Sequence, residues 1–255
     1  MISASPGATK LDAVLFDCWG TLVQAPNLMR RGASAELFHR SLTTNGCEVD
    51  WEVFRDAYAV ESMKQHEETM RDLRELDYVG RLEATLQAVG IVPNEGHALA
   101  ERAWSEYLAE WPRQSTLYVG TSALLSSIRG TRKLGLVTNF PDGPTARAVF
   151  RKFGFESVFD SLVVSDEVGF RKPHRLMFER ALGELGSEPE SAVMVGDTFE
   201  ADIKGAKDIG MRAILIDADG SQAANHGLAD AVVKGIDDVK EALRRLLKQS
   251  TMFFR

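Results

Sequence analysis

Ala13-Val14-Leu15-Phe16-Asp17-Cys18-Trp19-Gly20-Thr21-Leu22 begins with four consecutive apolar residues and breaks at an acid. A run that short, apolar throughout instead of alternating, predicts a strand buried on both faces. Gly20 permits a sharp turn just beyond it, so the Asp17 carboxylate is predicted to project from the strand's carboxyl tip. Four later runs share this character: Leu134-Gly135-Leu136-Val137, Leu162-Val163-Val164, Ala192-Val193-Met194-Val195 and Ala213-Ile214-Leu215-Ile216. Apolar residues at three- and four-residue spacing predict helices over 144–153, 175–185, 199–209 and 236–247. Buried strands alternating with helices predict a parallel sheet covered on both faces, an α/β doubly wound core of Rossmann type.

Between the first two strands the pattern changes. From about residue 24 to 112 no strand-like run occurs, and amphipathic spacing predicts helices over 33–42, 51–70, 78–89 and 96–111. The expected organisation is therefore a core of residues 9–23 and 113–255 with an inserted α-helical domain over 24–112. An insert placed directly after the first strand lies at the carboxyl ends of the sheet, where open α/β sheets take their ligands. Trp51, Phe54, Tyr58, Trp104, Tyr107 and Trp111 are expected to pack the insert or its junction with the core. Arg30, Arg31, His39, His66 and Arg71 are expected on its polar surface.

Composition narrows the possible partners. With 255 residues, 44% hydrophobic and 26% charged, the chain has the make-up of an ordinary globular protein and not of a disordered one. The net charge is −7, and the basic residues are scattered among acids, which excludes the electrostatic footprint of a nucleic-acid binder. No apolar run reaches the ~18 residues of a membrane span, and Met1 to Lys10 lacks the apolar centre of a signal peptide and reads as a disordered lead-in. Cys18 and Cys47 are too few to staple a chain of this size, so a reducing, cytoplasmic location is expected. The Met252-Phe253-Phe254 tail is apolar enough to dock on the core or on a partner, and no feature fixes an oligomeric state.

The strand ends converge on one set of chemical groups. The first strand delivers the Asp17 carboxylate, and the second ends in Thr138-Asn139, a hydroxyl and an amide. After the third, Gly169-Phe170-Arg171-Lys172-Pro173 brings an ammonium, and the fourth runs into Gly196-Asp197-Thr198-Phe199-Glu200-Ala201-Asp202, with further carboxylates. At one sheet edge these bring carboxylates, a hydroxyl, an amide and an ammonium into the same cleft.

These four motifs, in this order and each at the end of a predicted strand, resemble those of the haloacid dehalogenase-like superfamily. The resemblance covers essentially the whole chain, because the helical insert looks like that family's type 1 cap. It implies a hydrolase, a Mg²⁺-dependent phosphatase acting on a small phosphorylated substrate through an aspartyl-phosphate on Asp17. It also implies that Mg²⁺ is held by Asp17, the backbone carbonyl of Trp19 and Asp197, with Asp202 behind them. Lys172 would offset the crowded negative charge, and Thr138 and Asn139 would donate to the phosphoryl oxygens.

Trp19 departs from the pattern. In the family's phosphatases the residue two after the nucleophile is an Asp that protonates the leaving alcohol and activates water, and indole does neither. Positioned general acid–base catalysis contributes roughly 10²- to 10⁴-fold, so hydrolysis of poor leaving groups is expected to be slow. The dehalogenases are similar in carrying an aromatic residue there, which keeps a haloacid dehalogenase activity as an alternative; but those enzymes are metal-free, with small polar residues where this chain has Asp197 and Phe199. A third alternative is a phosphate-binding protein with little turnover.

Overall fold

Six parallel strands form the central sheet: β1 (Ala13–Phe16), β2 (Lys133–Thr138), β3 (Ser161–Val164), β4 (Ala192–Gly196), β5 (Arg212–Ile216) and β6 (Ala231–Val233). The computed structural model describes residues 11–252, so the expectations placed on Met1–Lys10 and on Phe253-Phe254 lie outside the described residues. The strand order is β3-β2-β1-β4-β5-β6, that of a doubly wound α/β sheet. Five of the six strands coincide with the predicted apolar runs. The sixth, β6, escaped prediction because it contributes only Ala231-Val232-Val233 between Asp230 and Lys234, too little for a recognisable run.

Register decides what the sheet can present. Phe16, the last residue of β1, lies level with Leu136 on one side and Val195 on the other. The Asp17 amide continues the ladder by donating to the Val195 carbonyl at 2.9 Å. Because all neighbours run parallel, Asp17, Thr138-Asn139 and Asp197 leave the sheet at the same edge. The order reverses direction between β1 and β4, and a crevice opens at such a switch point.

The strands tolerate this burial because both faces are covered. Ala13 and Leu15 join Val137, Met194, Met177, Phe178 and Leu182 in one continuous apolar cluster. Phe16 faces the other way and meets Phe159 edge-on, with ring centroids 6.4 Å apart. Helix Arg175–Leu185 supplies Met177, Phe178, Ala181 and Leu185 at helical spacing, and ends where Gly186 adopts a left-handed φ of 56°.

The structure divides into two compact units. One comprises residues 11–24, 117–139 and 153–252; the other comprises 25–116 with 140–152. The second unit is built from helices Ala33–Thr44, Trp51–Asp72, Tyr78–Ala88, Pro93–Gln114 and Gly143–Lys152. Residues 140–152, expected with the sheet, group with these helices. Phe140 packs edge-on against Trp111 at 5.0 Å, and Lys152 Nζ donates to the carbonyls of Pro112 (2.8 Å) and Ser115 (2.7 Å).

An aromatic chain fills this unit. Phe38, fully buried, lies 5.0 Å from the Tyr107 ring, 5.8 Å from Tyr58 and 6.3 Å from Trp104, while Tyr78 stacks on Trp104 at 4.6 Å. His39, expected on the surface, is half-buried instead, with its ring against Trp51 and Phe54 and Nε2 2.8 Å from the Val49 carbonyl. The long Trp51–Asp72 helix buries only Phe54 and Tyr58. Its start is fixed by Asp50, whose Oδ1 accepts from the Glu52 and Val53 amides at 2.9 and 3.1 Å. Phe38→Ala is expected to destabilise the protein by about 3–5 kcal/mol, and Asp50→Ala by about 1 kcal/mol. Urea unfolding of both variants checks the ranking, and an Asp50 variant equal to or weaker than the Phe38 variant would contradict it.

Candidate active site

Lys172 is the hub of the strand-end cluster. Its ammonium is buried and lies 2.5 Å from Asp17 Oδ1 and 2.7 Å from Asp202 Oδ1, and it donates to the Val137 carbonyl at 2.6 Å. The ammonium thus donates two hydrogen bonds and makes a close ion pair with Asp202. The residues come from three places: the tip of β1, the loop before helix Arg175–Leu185, and a π-helical turn over Phe199–Lys204 after β4. That turn stands where an ordinary helix was predicted, and π-turns recur at functional sites.

Asp202 is fixed at both oxygens, since its Oδ2 accepts from the Thr198 amide at 3.0 Å. Its approach to the strand end requires Gly196: a Cβ there would stand 2.2 Å from Asp202 Oδ2. Asp197 is seated in a similar way. Thr21 Oγ1 donates to its Oδ1 at 2.8 Å, and the carboxylate rests on Gly20, where a Cβ would meet Asp197 Oδ2 at 2.3 Å. Gly20 also has φ of 95°, which closes the turn after β1. Asp17 Oδ2 and Asp197 Oδ2 stay outside the bonds to Lys172 and Thr21.

Trp19 lies half-buried in that turn and bridges to Val23; the Gly20 amide donates to the Val23 carbonyl at 2.9 Å. Cys18 is fully buried with a free thiol, and burial pushes its pKa well up. Thr138 is buried at the end of β2. Asn139 uses its side chain on the backbone of Lys172: Nδ2 donates to the carbonyl at 3.0 Å and Oδ1 accepts from the amide at 2.7 Å. Sequence reading assigned Asn139 to substrate and missed this clamp, which nothing in the residue spacing announces. It also missed Gln222, which grips the loop of Asp197 from beyond β5.

The electrostatics follow from burial. Three carboxylates face one ammonium, so two negative charges have no partner when all are ionised. Burial raises the Asp17 pKa from 3.8 to about 8 against the opposing pull of Lys172, with Asp202 and Asp197 pushing the same way as burial. Burial followed by the Asp202 charge raises Asp197 to about 6, while Thr21 and Lys172 hold it down. For Lys172, burial acts to lower the pKa, but Asp17 and Asp202 together outweigh it and the net shift is upward. Tyr118 is raised too, by burial and by the Asp197 charge.

The donor set suits a hard divalent cation. Atoms of Asp17, Asp197 and Asp202 lie within 4.8 Å of one another, and oxygen-only, carboxylate-rich surroundings are what Mg²⁺ takes. One divalent charge matches the two unbalanced negative charges. Asp202 is committed to Lys172 and Thr198, which leaves Asp17 and Asp197 as the carboxylates placed to ligate.

A family model for haloacid dehalogenase-like hydrolases matches residues 11–210. Glyceraldehyde 3-phosphate phosphatase of Methanothermobacter thermautotrophicus is 38% identical over 130 residues, covering 48% of this chain and 56% of that protein; the match spans little more than half the relative's length. N-acylneuraminate-9-phosphatase of Rattus norvegicus is 28% identical over 213 residues, covering 82% of this chain and 83% of the relative. Among solved structures, a 2-haloacid dehalogenase from Pseudomonas syringae pv. Tomato DC3000 superposes with a TM-score of 0.72 at 24% identity, covering 92% of this chain and 99% of that one. A HAD phosphatase from Thermococcus onnurineus superposes with a TM-score of 0.67, also at 24% identity, covering 91% and 97%. These two likenesses concern the fold, and the family assignment comes from the model that spans the strand-end motifs: the chain belongs to the haloacid dehalogenase-like hydrolases.

Proposed function

We propose that this hydrolase is a Mg²⁺-dependent phosphatase that cleaves a small phosphate monoester through an aspartyl-phosphate on Asp17. The observation that carries the reading is the buried Lys172 ammonium 2.5 Å from Asp17 Oδ1 among three carboxylates, a site short of positive charge. The phosphatase names of the relatives support the ester class, and their own substrates differ from one another. Mg²⁺ held by Asp17, the Trp19 carbonyl and Asp197 would supply the positive charge that keeps the carboxylates ionised beside an anionic substrate.

In the proposed reaction an Asp17 carboxylate oxygen forms a bond to phosphorus, the bond from phosphorus to the alcohol oxygen breaks, and the alcohol takes its proton from solvent. Water then attacks the acyl-phosphate, releasing inorganic phosphate and restoring Asp17. Lys172 orients Asp17 and stabilises charge in the transition state, and Thr138 and the remaining N–H of Asn139 Nδ2 bind phosphoryl oxygens. By its resemblance to the family's cap, the helical unit would serve to select the substrate. A haloacid substrate fits less well, because dehalogenation of that type uses no metal, and without one the Asp197 charge would repel the substrate's carboxylate.

Asp17→Asn is expected to lower phosphate release by at least about 10³-fold with an unchanged far-ultraviolet spectrum; turnover near the wild-type rate would exclude Asp17 as nucleophile. Trp19→Asp is expected to raise turnover of esters with poor leaving groups by about 10²-fold and to change good leaving groups little. Rates that fall or stay level across an ester series would assign Trp19 to the substrate pocket instead.

The pKa shifts predict the pH dependence of the metal-free chain. A carboxyl raised on folding, as Asp17 is from 3.8 to about 8, contributes stability that is fully present below 3.8 and lost as pH rises through about 8. The thermal midpoint in EDTA should therefore decline between pH 5 and 8, less steeply in Asp17→Asn, and added Mg²⁺ should raise it more at pH 8 than at pH 5.5. Differential scanning calorimetry checks this, and a Mg²⁺ effect independent of pH would contradict it.

A further inference from the structure

Gln222 lies outside every recognised motif, yet both polar atoms of its side chain are spent on one short loop. Nε2 donates to the Asp197 carbonyl at 2.7 Å, and Oε1 accepts from the Phe199 amide at 2.8 Å. The second bond answers a definite need. Phe199 is the first residue of the π-helical turn, whose leading amides have no partner within the turn, and Thr198 before it provides no side-chain cap. Gln222 supplies that cap from 23 residues away, and with its other atom holds the backbone of the residue that carries the Asp197 carboxylate.

The segment bearing Gln222 is itself pinned. Asp217, buried at the end of β5, pairs through Oδ2 with His226 Nε2 at 2.6 Å, and its amide donates to the Val233 carbonyl at 2.9 Å. Lys234 Nζ donates to the Asp217 carbonyl at 3.1 Å, and Asp219 Oδ1 accepts from the Ser221 amide at 2.9 Å one residue before Gln222. A brace fixed at its own base can hold another loop in place, whereas a mobile surface glutamine would lose conformational entropy each time it did so.

We infer that Gln222 is a positioning residue for the cation site, setting Asp197 between Thr21 and the cluster so that its carboxylate is already placed when a divalent ion arrives. This rests on the cation reading of the preceding section and extends it to a residue that touches neither ion nor substrate. Loss of both bonds frees the Asp197–Phe199 backbone, and the ion must then order it on binding.

The test is Mn²⁺ binding to the full chain, followed by water-proton relaxation, for wild type, Gln222→Ala and the nearly isosteric Gln222→Met. Both variants are expected to bind Mn²⁺ about tenfold more weakly, the effect of two modest hydrogen bonds, and the Mn²⁺ concentration for half-maximal turnover should rise by the same factor. Gln222 is only half-buried, so their thermal midpoints in EDTA should fall slightly, as on loss of an ordinary helix cap. Dissociation constants within twofold of wild type, with or without a lower midpoint, overturn the inference and leave the cation reading intact. If the wild type itself binds no Mn²⁺, the cation reading fails and this inference falls with it.

Discussion

The ammonium of Lys172, buried between Asp17 and Asp202, is the contact on which the arrangement of the strand ends depends. A buried charge is tolerated only when it is paired and hydrogen-bonded. Here the ammonium is hydrogen-bonded to Asp17 and to the carbonyl of Val137 in β2, and ion-paired with Asp202. The ion therefore ties β1, β2 and the turn after β4 into one object. Removing one partner of such a pair costs on the order of 3–5 kcal/mol, so the same contact that orients a carboxylate also holds the loops that carry it.

The surrounding residues make sense as consequences of that contact. Asn139 fixes the backbone of Lys172 at both its amide and its carbonyl, so the ammonium starts from a defined point. Gly196 is small because Asp202 must cross the strand end to reach the ammonium, and Gly20 is small because Asp197 rests on it. The excess of negative charge follows as well. One ammonium among three carboxylates leaves a site that takes up either protons or a cation, and the upward shifts of Asp17 and Asp197 express the first alternative.

Most of the sheet was legible in the sequence because a buried parallel strand has a strong local signature, a short apolar run ending in a polar residue. Asp17, Lys172, Asp197 and Asp202 could be named because each closes or follows such a run. What stayed hidden was non-local. β6 is three residues long and exists through its ladder with β5. Residues 140–152 read as one more core helix, but Phe140 on Trp111 and Lys152 on the end of the Pro93–Gln114 helix place them with the helical unit. His39 looked like a surface histidine because its partners Val49, Trp51 and Phe54 lie ten or more residues away. Gln222 has no signature at all, since its importance consists of two hydrogen bonds to a loop more than twenty residues distant.

Position 19 separates two duties that one residue can carry. The turn after β1 is closed by backbone bonds among Cys18, Gly20, Leu22 and Val23, together with the positive φ of Gly20. These are all backbone features, so the path of the turn that carries the Trp19 carbonyl is set in large part by the main chain. The side chain decides whether position 19 offers an acid–base group, and indole does not. The bonds of Lys172 to its carboxylates run through other residues, so a tryptophan here is compatible with the electrostatic part of the site. On the phosphatase reading proposed above, a site without an acid–base group at position 19 would favour substrates whose leaving group departs without a proton.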